Sequence, residues 1–517
     1  MKKDCQSMRR LVSNFYRATP KRPIIIWAFL VVFIIIIAFP ALYAADYKAS
    51  LFGIKSNSTT LNTRSIQKAI DYIHENGGGR LVFDVGRYLT GTIYLKSNVT
   101  IHLLEGAVLV GSPNPFDYDY NPKRNWTALI FALEQENVGI TGEGGVIDGQ
   151  GFTVAYNLVD IIHKGLIQDP LRNDRPREGL RPQNIYFWRC QNVRVEGITL
   201  KDPASWNQQY DQCRNVVIKN LIIDSKSYWN NDGVDIVDCD NVEVANLYID
   251  AADDGICLKS HDENAVCQNV YIHDNVVRTS ANGLKFGTAS LGGFKNIKII
   301  NNVVYDTYRS AITFAAVDGG FVEDVTVDGL KSINTGNVIF LRIGERWRPG
   351  KKGRLRNISI SNVYAEVPAT KPDAGYNYEG PWEHQPRNIS PSSIVGQPDA
   401  LIENITLKNI EIHHPGGGDP YFAHVGLDEL DKVPELPGSY PEFSMFRELP
   451  AWGFYVRHAR NITFENIKLV AAKKDYRRPI VLDDVHNMRI KGLQVQEPGP
   501  KKDPVYIYRS TDTKVEK

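Results

Sequence analysis

Three aspartates in two consecutive segments of the chain have the residue type and spacing for acid/base chemistry. Asp232 lies in Tyr228–Asp235, and Asp253 and Asp254 lie one repeat later in Ala251–Lys259. The two segments occupy equivalent places in an internal repeat, and a repeat that stacks on itself brings such places together. Carboxylates crowded on one surface raise one another's pKa, so packing alone does not account for them. Acid/base cleavage of a glycosidic bond requires such a group.

A short unit, Asn-Val/Ile-x-Val/Ile, recurs along the chain and must position these acids. Between Asn192 and Asp324 successive copies begin 23, 26, 28, 27 and 28 residues apart. Each copy continues as alternating apolar and polar residues broken by Gly, Asn and Asp, which is typical of one coil of a parallel β-helix. We therefore predict an all-β, single-domain solenoid with stacked asparagines at its turns. The Asn position is held by Asn98, Asn137, Asn192, Asn215, Asn241, Asn269, Asn296, Asp324, Asn357, Asn404, Asn461 and Asn487.

Four consecutive copies open with a cysteine. The thiols of Cys190, Cys213, Cys239 and Cys267 share one place in the repeat. This spacing predicts a stacked ladder of small apolar residues rather than a disulfide framework.

Alignment of four coils on their shared apolar residues separates the inward and outward side chains. The aligned segments are Asn231–Ile236, Asp253–Leu258, Ala281–Phe286 and Arg309–Phe314. Because side chains alternate along a strand, Val234, Ile256, Leu284 and Ile312 should point inward. One outward column should hold Asp232, Asp254 and Asn282, and the next should hold Asp235, Cys257, Lys285, Thr313 and Arg342. Within the second column we expect Asp235 to bond backbone groups near its turn.

One helix and two insertions interrupt the repeat. Asn62–His74 has the spacing of an amphipathic helix, with Asn62 at the N-cap, and would cover the N-terminal end of the solenoid. The coil spacing lengthens to 33, 47 and 57 residues between Asp324 and Asn461, which predicts insertions near 368–395 and 413–451. Their aromatic residues indicate ordered loops that either wall a cleft or pack outside the solenoid. These residues are Tyr376, Tyr378, Trp382, Tyr421, Phe443, Phe446 and Trp452.

The first 45 residues are typical of an export signal. Seven basic residues and one acid precede the apolar run Ile24–Phe39, and small residues follow it. This order predicts a cleaved signal peptide or a retained N-terminal membrane anchor at residues 1–45, with residues 46–517 exported as the β-helix domain.

The outward acids and several other segments resemble glycoside hydrolase family 28, the polygalacturonase family of right-handed parallel β-helices. Its Asn-x-Asp motif stands here as Asn230-Asn-Asp232, and its Asp-Asp pair stands 21 residues later as Asp253-Asp254. By this resemblance Asp253 is the general acid, and Asp232 and Asp254 activate the attacking water with inversion. The resemblance implies no metal or organic cofactor. It extends through Leu51–Ile54, Gly86–Thr100 and Ile147–Gly151.

Two departures from the family pattern lie beside the acids. The family's Gly-His-Gly motif stands as Ala281-Asn282-Gly283, and its Arg-Ile-Lys motif falls on Thr313–Ala315. We therefore hypothesise an exo-acting or branch-specific enzyme on pectin or another acidic glycan, with Lys285 and Arg342 as a displaced anion clamp. Long aromatic loops would block one end of its cleft. The candidate substrate-binding residues are Asn282, Lys285, Arg342, Asn231 and Lys259.

Two other classes of function share this fold. A polysaccharide lyase would need calcium and a basic residue, and clustered carboxylates on a β-helix also suit calcium. A non-catalytic glycan-binding protein would leave the length of its ligand unchanged. The balance of 60 basic and 59 acidic residues gives no general affinity for nucleic acid. We expect a monomer whose partner is a polysaccharide or oligosaccharide and whose one membrane contact is an N-terminal anchor.

Overall fold

Short parallel strands make up most of the structure, a computed structural model that describes residues 45–169, 174–372 and 390–516. These residues form 33 strands, and the one antiparallel pairing between them joins β7 to β8. The strands are β1 Asp46–Lys48, β2 Gly79–Phe83, β3 Gly86–Thr90, β4 Ile93–Leu95, β5 Val99–Leu103, β6 Ala107–Gly111, β7 Tyr120–Asn121, β8 Trp126–Leu133, β9 Glu136–Gly142, β10 Val146–Asp148, β11 Gln183–Trp188, β12 Gln191–Glu196, β13 Thr199–Lys201, β14 Gln208–Asp211, β15 Arg214–Lys219, β16 Ile222–Ser225, β17 Val234–Val237, β18 Asp240–Ala245, β19 Tyr248–Ala251, β20 Ile256–Ser260, β21 Cys267–His273, β22 Val276–Thr279, β23 Leu284–Ser290, β24 Gly293–Ala316, β25 Phe321–Ile343, β26 Arg354–Glu366, β27 Ser392–Val395, β28 Ile402–Gly416, β29 Ala451–Lys473, β30 Arg478–Lys491, β31 Gln494–Gln496, β32 Val505–Tyr508 and β33 Thr511–Glu516.

Three ladders of parallel strands run along the molecule, and each coil contributes one strand to each ladder. The first contains β11, β14, β17, β20 and β23 in spatial order. The second contains β12, β15, β18 and β21, and the third contains β13, β16, β19 and β22. Later strands such as β24 and β25 continue through the corners and join all three ladders. This arrangement is a right-handed parallel β-helix, as predicted.

Asparagine side chains form a hydrogen-bonded ladder at one turn, which confirms the prediction from the repeat, although the Asn269 amide donates to Asp240 Oδ1 instead of Asn241. The side-chain amide of Asn215 donates to Asn192 Oδ1 at 2.9 Å, and that of Asn241 donates to Asn215 Oδ1 at 2.8 Å. All three residues have φ between 53° and 61°. Asparagine tolerates this left-handed conformation better than most residues, so one residue type meets both demands of the turn.

Apolar columns fill the interior of the coils. Val234, Ile256, Leu284 and Ile312 are in register and buried, as predicted. Cys190, Cys213, Cys239 and Cys267 are buried free thiols, and their sulfur atoms lie within hydrogen-bonding distance of backbone carbonyls of the strands. The cysteine ladder is therefore part of the core.

Two α-helices lie within the described residues. Helix α1, Thr63–Glu75, buries Ile66, Ile70 and Ile73 against the first coil and confirms the predicted helix. Asn62 stands at its N-cap position, but its side-chain Oδ1 accepts from the Lys55 amide rather than from an amide of the helix.

Helix α2, Gly151–His163, was missed by the sequence analysis. It buries Val154, Ala155, Leu158 and Ile162 while Phe152 and Tyr156 stay exposed. Apolar residues on both faces obscure the helical period in this segment.

The export prediction falls largely outside the described residues. Asp46–Lys517 forms one compact unit. Within the described ranges, no helix has the length and apolar character needed to cross a membrane. Residues 1–44, which include the apolar run Ile24–Phe39, lie outside those ranges, as does most of the predicted insertion at 368–395.

Candidate active site

The three aspartates line one pocket of about 350 Å³ on the outer face of the ladder formed by β14, β17, β20 and β23. Asp232 precedes β17, and Asp253 and Asp254 precede β20. These strands are neighbours in the ladder, so the acids occupy neighbouring rungs, that is, equivalent positions of successive coils about 4.8 Å apart. Asp232 and Asp254 are almost fully buried, whereas Asp253 is partly exposed. The remaining lining residues are Trp126, Glu178, Trp206, Asn230, Lys259, His261, Lys285, Thr288, Ala289, Arg346, Trp347 and Tyr440.

A column of glycines fixes the turn that carries the acids. The Gly233 amide donates to Asp254 O at 2.9 Å, and the Gly255 amide donates to Asn282 O at 2.9 Å. A Cβ at Gly255 would lie 2.4 Å from Val277 Cγ1 and 2.8 Å from Gly283 O. The glycine therefore allows the close approach of successive coils that stacks Asp254 above its neighbours.

Asp254 is held as a carboxylate. Its Oδ2 accepts from Lys285 Nζ at 2.7 Å, and its Oδ1 accepts from the side-chain amide of Asn282 at 2.9 Å. Burial alone would raise the pKa of Asp254, but the charges of Lys285 and Lys259 more than offset it and lower the pKa to about 2. Asp254 is thus ionised across the ordinary pH range.

Asp253 has the opposite tendency. Burial and the neighbouring charge of Asp254 raise the pKa of Asp253, although Arg309 and Lys285 act against the shift. Its Oδ1 accepts from the Asp254 amide at 3.0 Å. Two adjacent carboxyl groups with opposite shifts are the usual mark of an acid and base pair.

Asp232 and Asp235 share one ammonium group. Lys259 Nζ donates to Asp232 Oδ2 at 3.1 Å and also to Asp235 Oδ1. Burial and the charge of Asp235 hold the pKa of Asp232 well above its usual range, despite Lys259. Burial raises the pKa of Asp235 to about 6, again against Lys259. Asp235 thus bonds Lys259 and not the backbone, contrary to the prediction. Lys259 Nζ also lies 4.3 Å from the centre of the Trp206 ring.

The segment between β28 and β29 reaches over the site and walls one side of it. Tyr440 Oη accepts from Lys285 Nζ at 3.1 Å, and Glu442 pairs with the buried Arg309. Arg346 pairs with Asp318 at 2.9 Å. The predicted second insertion is therefore ordered, and its aromatic residue in the pocket is Tyr440.

Two predicted substrate-binding residues support the site from beneath. The Asn282 side chain is 1% exposed and bonds Asp254 on one side and Thr313 Oγ1 on the other. The Asn231 side chain is fully buried and donates to Pro203 O and Ser205 O. Neither lines the pocket, because their amides satisfy backbone and carboxylate groups within the coil.

The predicted place of Arg342 is wrong. Arg342 is in register with Ala315, and Phe340 occupies the rung after Thr313. Its guanidinium group donates to the carbonyls of Gly396, Glu435 and Leu436 and does not reach the acid pocket. The alignment misplaced Arg342 by two residues along β25. Side chains alternate with a period of two, so a shift of two residues keeps a side chain on the same face, and the alternation does not reveal the error. Among the predicted binding residues, Lys259 and Lys285 do line the pocket.

Several pocket residues were missed by the sequence analysis. Trp206 lies in a coil that the alignment did not include, and His261 lies just beyond the aligned segment, after β20. Arg346 and Tyr440 come from loops. The sequence alignment could have identified Arg309 as a residue near the acids, because it places Arg309–Phe314 on Asp253–Leu258 and so puts Arg309 in the column of Asp253. Its amide donates to Ala281 O at 3.0 Å, as that alignment requires.

Comparison with known proteins agrees with the fold and the site. The model of Glycosyl hydrolases family 28 matches residues 86–317, which include all three acids. The chain is 26% identical to the exo-poly-alpha-D-galacturonosidase of Dickeya chrysanthemi over 52% of this chain and 52% of that protein. It is 25% identical to the probable polygalacturonase of Vitis vinifera over 72% of this chain and 76% of that protein. The chain thus spans about half the length of the first of these relatives.

A solved structure has the same fold. The family 28 exopolygalacturonase of Yersinia enterocolitica is 18% identical, with a TM-score of 0.60, over 92% of this chain and 78% of that one. The fold is the β-helix of these relatives. Residues 86–317, which carry the three acids, match glycosyl hydrolases family 28, and the low identity to the relatives fits a divergent member of that family.

Proposed function

We propose that this protein hydrolyses glycosidic bonds in a pectin-type or other acidic polysaccharide by an inverting acid/base mechanism. The observation that carries the proposal is the meeting of Asp232, Asp253 and Asp254 in one pocket, where the pKa of Asp253 is raised and that of Asp254 is lowered to about 2. Asp253 donates its proton to the leaving oxygen, and Asp254 accepts a proton from the attacking water. Asp232, beside Lys259, orients that water.

The cations around the acids favour a negatively charged sugar. Lys285 and Arg346 line the pocket, and Arg309 lies behind Asp253. The names of the relatives, exo-poly-alpha-D-galacturonosidase and polygalacturonase, agree with a uronate substrate. Lys285 and Arg346 therefore take the role of anion clamp that the sequence analysis gave to Lys285 and Arg342.

The wall at one side of the pocket supports an exo mode. Tyr440 and Glu442 bond Lys285 and Arg309, so the segment between β28 and β29 covers the rungs of Asn282 and Thr313. Both of those side chains are about 1% exposed. A sugar chain consequently cannot continue across these rungs, and cleavage is confined to its end.

Calcium binding competes poorly at this site. Oxygen atoms of Asp232 and Asp254 and the sulfur of Cys257 lie within 4.8 Å of one another. However, Lys259 and Lys285 already occupy the oxygens of these two side chains, and calcium prefers oxygen to sulfur ligands. A hydrolase is therefore favoured over a calcium-dependent lyase.

Replacement of the general acid tests the proposal directly. Asp253→Asn should lower the release of reducing ends from polygalacturonate by about 10²–10⁴-fold, the usual contribution of a general acid. Asp274→Asn, the same change at an exposed turn, should leave the rate unchanged. A product that absorbs in the ultraviolet through a new double bond would instead identify a lyase. Unchanged activity of Asp253→Asn would refute the mechanism.

Export remains part of the proposal. Residues 1–45 would direct residues 46–517 out of the cytoplasm as a cleaved signal or as an anchor. N-terminal sequencing of the exported protein distinguishes the two, because only cleavage gives a new N-terminus near residue 45.

A further inference from the structure

A second and larger pocket, of about 770 Å³, lies next to the acid pocket and takes no part in the proposed chemistry. The segment 226–233 separates the two, because Tyr228 and Trp229 line the second pocket while Asn230 and Asp232 line the first. A polysaccharide bound in one pocket is therefore separated from the other pocket by one short loop.

An aromatic platform forms one wall of the second pocket. Phe152 and Tyr156 lie on helix α2, and their side chains are 58% and 54% exposed. Their ring centres are 4.5 Å apart, and Tyr156 contacts Tyr228 edge to face at 6.0 Å. Two adjacent aromatic faces left open to solvent within a pocket suit the apolar C–H face of a sugar ring.

The charged groups of the second pocket differ from those of the first. Its acids, Asp148 and Asp202, both pair with Lys201, at 3.4 and 3.2 Å, and its one lysine, Lys226, is engaged by Asp224 and Asp250. Carboxylates accept hydrogen bonds from sugar hydroxyl groups. Because Lys226 is the one cation among the described lining residues and is already paired, the pocket offers a uronate no unpaired cation.

We propose that the second pocket binds an uncharged glycosyl unit of the substrate, stacked on Phe152 and Tyr156 with its hydroxyls donating to Asp148 and Asp202. The inference rests on the proposed hydrolysis of a polysaccharide. It defines the substrate class as a glycan that carries both charged and neutral sugars, with the charged unit in the acid pocket and a neutral unit or branch beyond segment 226–233.

Binding measurements on the inactive Asp253→Asn protein test this assignment. Calorimetry with neutral galacto-, arabino- and xylo-oligosaccharides should detect binding of at least one. Phe152→Ala/Tyr156→Ala should weaken that binding at least tenfold. The matched control is Tyr421→Ala/Phe422→Ala, which removes another exposed pair of contacting rings that lines neither pocket. The control should bind as the parent does.

Three outcomes would overturn the assignment. The first is that none of the three neutral probes binds. The second is that the Phe152/Tyr156 variant and its control bind the probe equally well. The third is that tetragalacturonate displaces the neutral probe at a lower concentration than the neutral probe itself needs for binding. Failure of the proposed hydrolysis is seen separately. It would appear as undiminished cleavage by Asp253→Asn, whereas the Phe152/Tyr156 variant should cleave short oligogalacturonides at the parent rate.

Discussion

The asparagine ladder and the acid pocket are built on the same coils, yet they use stacking in opposite ways. In the ladder, Asn192, Asn215 and Asn241 repeat one neutral side chain, and each amide bonds the next. In the pocket, Asp232 and Asp254 place charge on neighbouring rungs, and Lys259 and Lys285 must compensate it. A repeated amide lowers the energy of every coil. A repeated carboxylate raises it unless a cation intervenes, and burial together with the nearby lysines shifts the pKa values of these acids.

After the loss of Asp253 itself, the largest effect is expected from removal of the cation that compensates Asp254. Lys285→Met should reduce kcat/KM about 100–1000-fold, the range in which acid/base groups contribute. In the parent, the pKa of Asp254 of about 2 keeps it ionised, so Asp254 does not limit activity above that pH. Without Lys285 its pKa rises, and the acid limb of the pH–rate profile should move to higher pH. The alkaline limb, at which Asp253 loses its proton, sets the upper end of the profile.

The exposed Lys295 provides the control for this change. Lys295→Met should retain the parent rate and profile. An acid limb that stays in place in Lys285→Met would show that Lys285 does not set the charge of Asp254.

A smaller effect is expected from the glycine that allows the acid rungs to stack. The Cβ in Gly255→Ala would meet Val277 Cγ1 and Gly283 O, so the coil must shift. We expect a loss of about 2 kcal/mol in the free energy of unfolding, as is typical of overpacking. Chemical denaturation measures it. Gly438→Ala, where a Cβ has no neighbour within 4 Å, is the control, and equal stability of the two variants would contradict the close approach.

The anion clamp should contribute about a factor of ten. Arg346→Gln removes the positive charge at the pocket wall, and kcat/KM on oligogalacturonides should fall about tenfold, or 1.4 kcal/mol. A neutral aryl glycoside should be cleaved as before. Equal losses on both substrates would assign Arg346 to the fold and not to the recognition of charge.

The smallest effect belongs to the ladder. Asn215→Gly keeps a residue suited to the left-handed turn but removes two amide hydrogen bonds, so unfolding should become easier by about 1 kcal/mol. Activity should not change. Asn220→Gly, at a turn with one bond to Glu196, should cost less. A loss of activity in Asn215→Gly with unchanged stability would erase the distinction between the two regions.

The repeat made the fold and the acids predictable. Asn, Val and Ile recur at a nearly fixed step, and a period of two decides which side chains face out. The same two facts predict that Asp232, Asp253 and Asp254 lie together. Helix α2 could not be predicted in this way, because its apolar residues lie on both faces.

The sequence by itself determined the coil, the turn asparagines, the inward columns and the three acids, because each follows from local periodicity. Only the tertiary structure decided which cations reach those acids. Lys259 and Lys285 do so because alternation aims them outward on the same ladder, but Tyr440 and Glu442 arrive from a segment some 150 residues further along the chain. Arg342 instead donates to carbonyls of that same segment. A difference of two residues along a strand leaves a side chain on the same face but moves it about 7 Å, and this places Arg342 away from the acids. Contacts between distant segments depend on where a loop folds back, and a sequence repeat carries no information about the path of that loop.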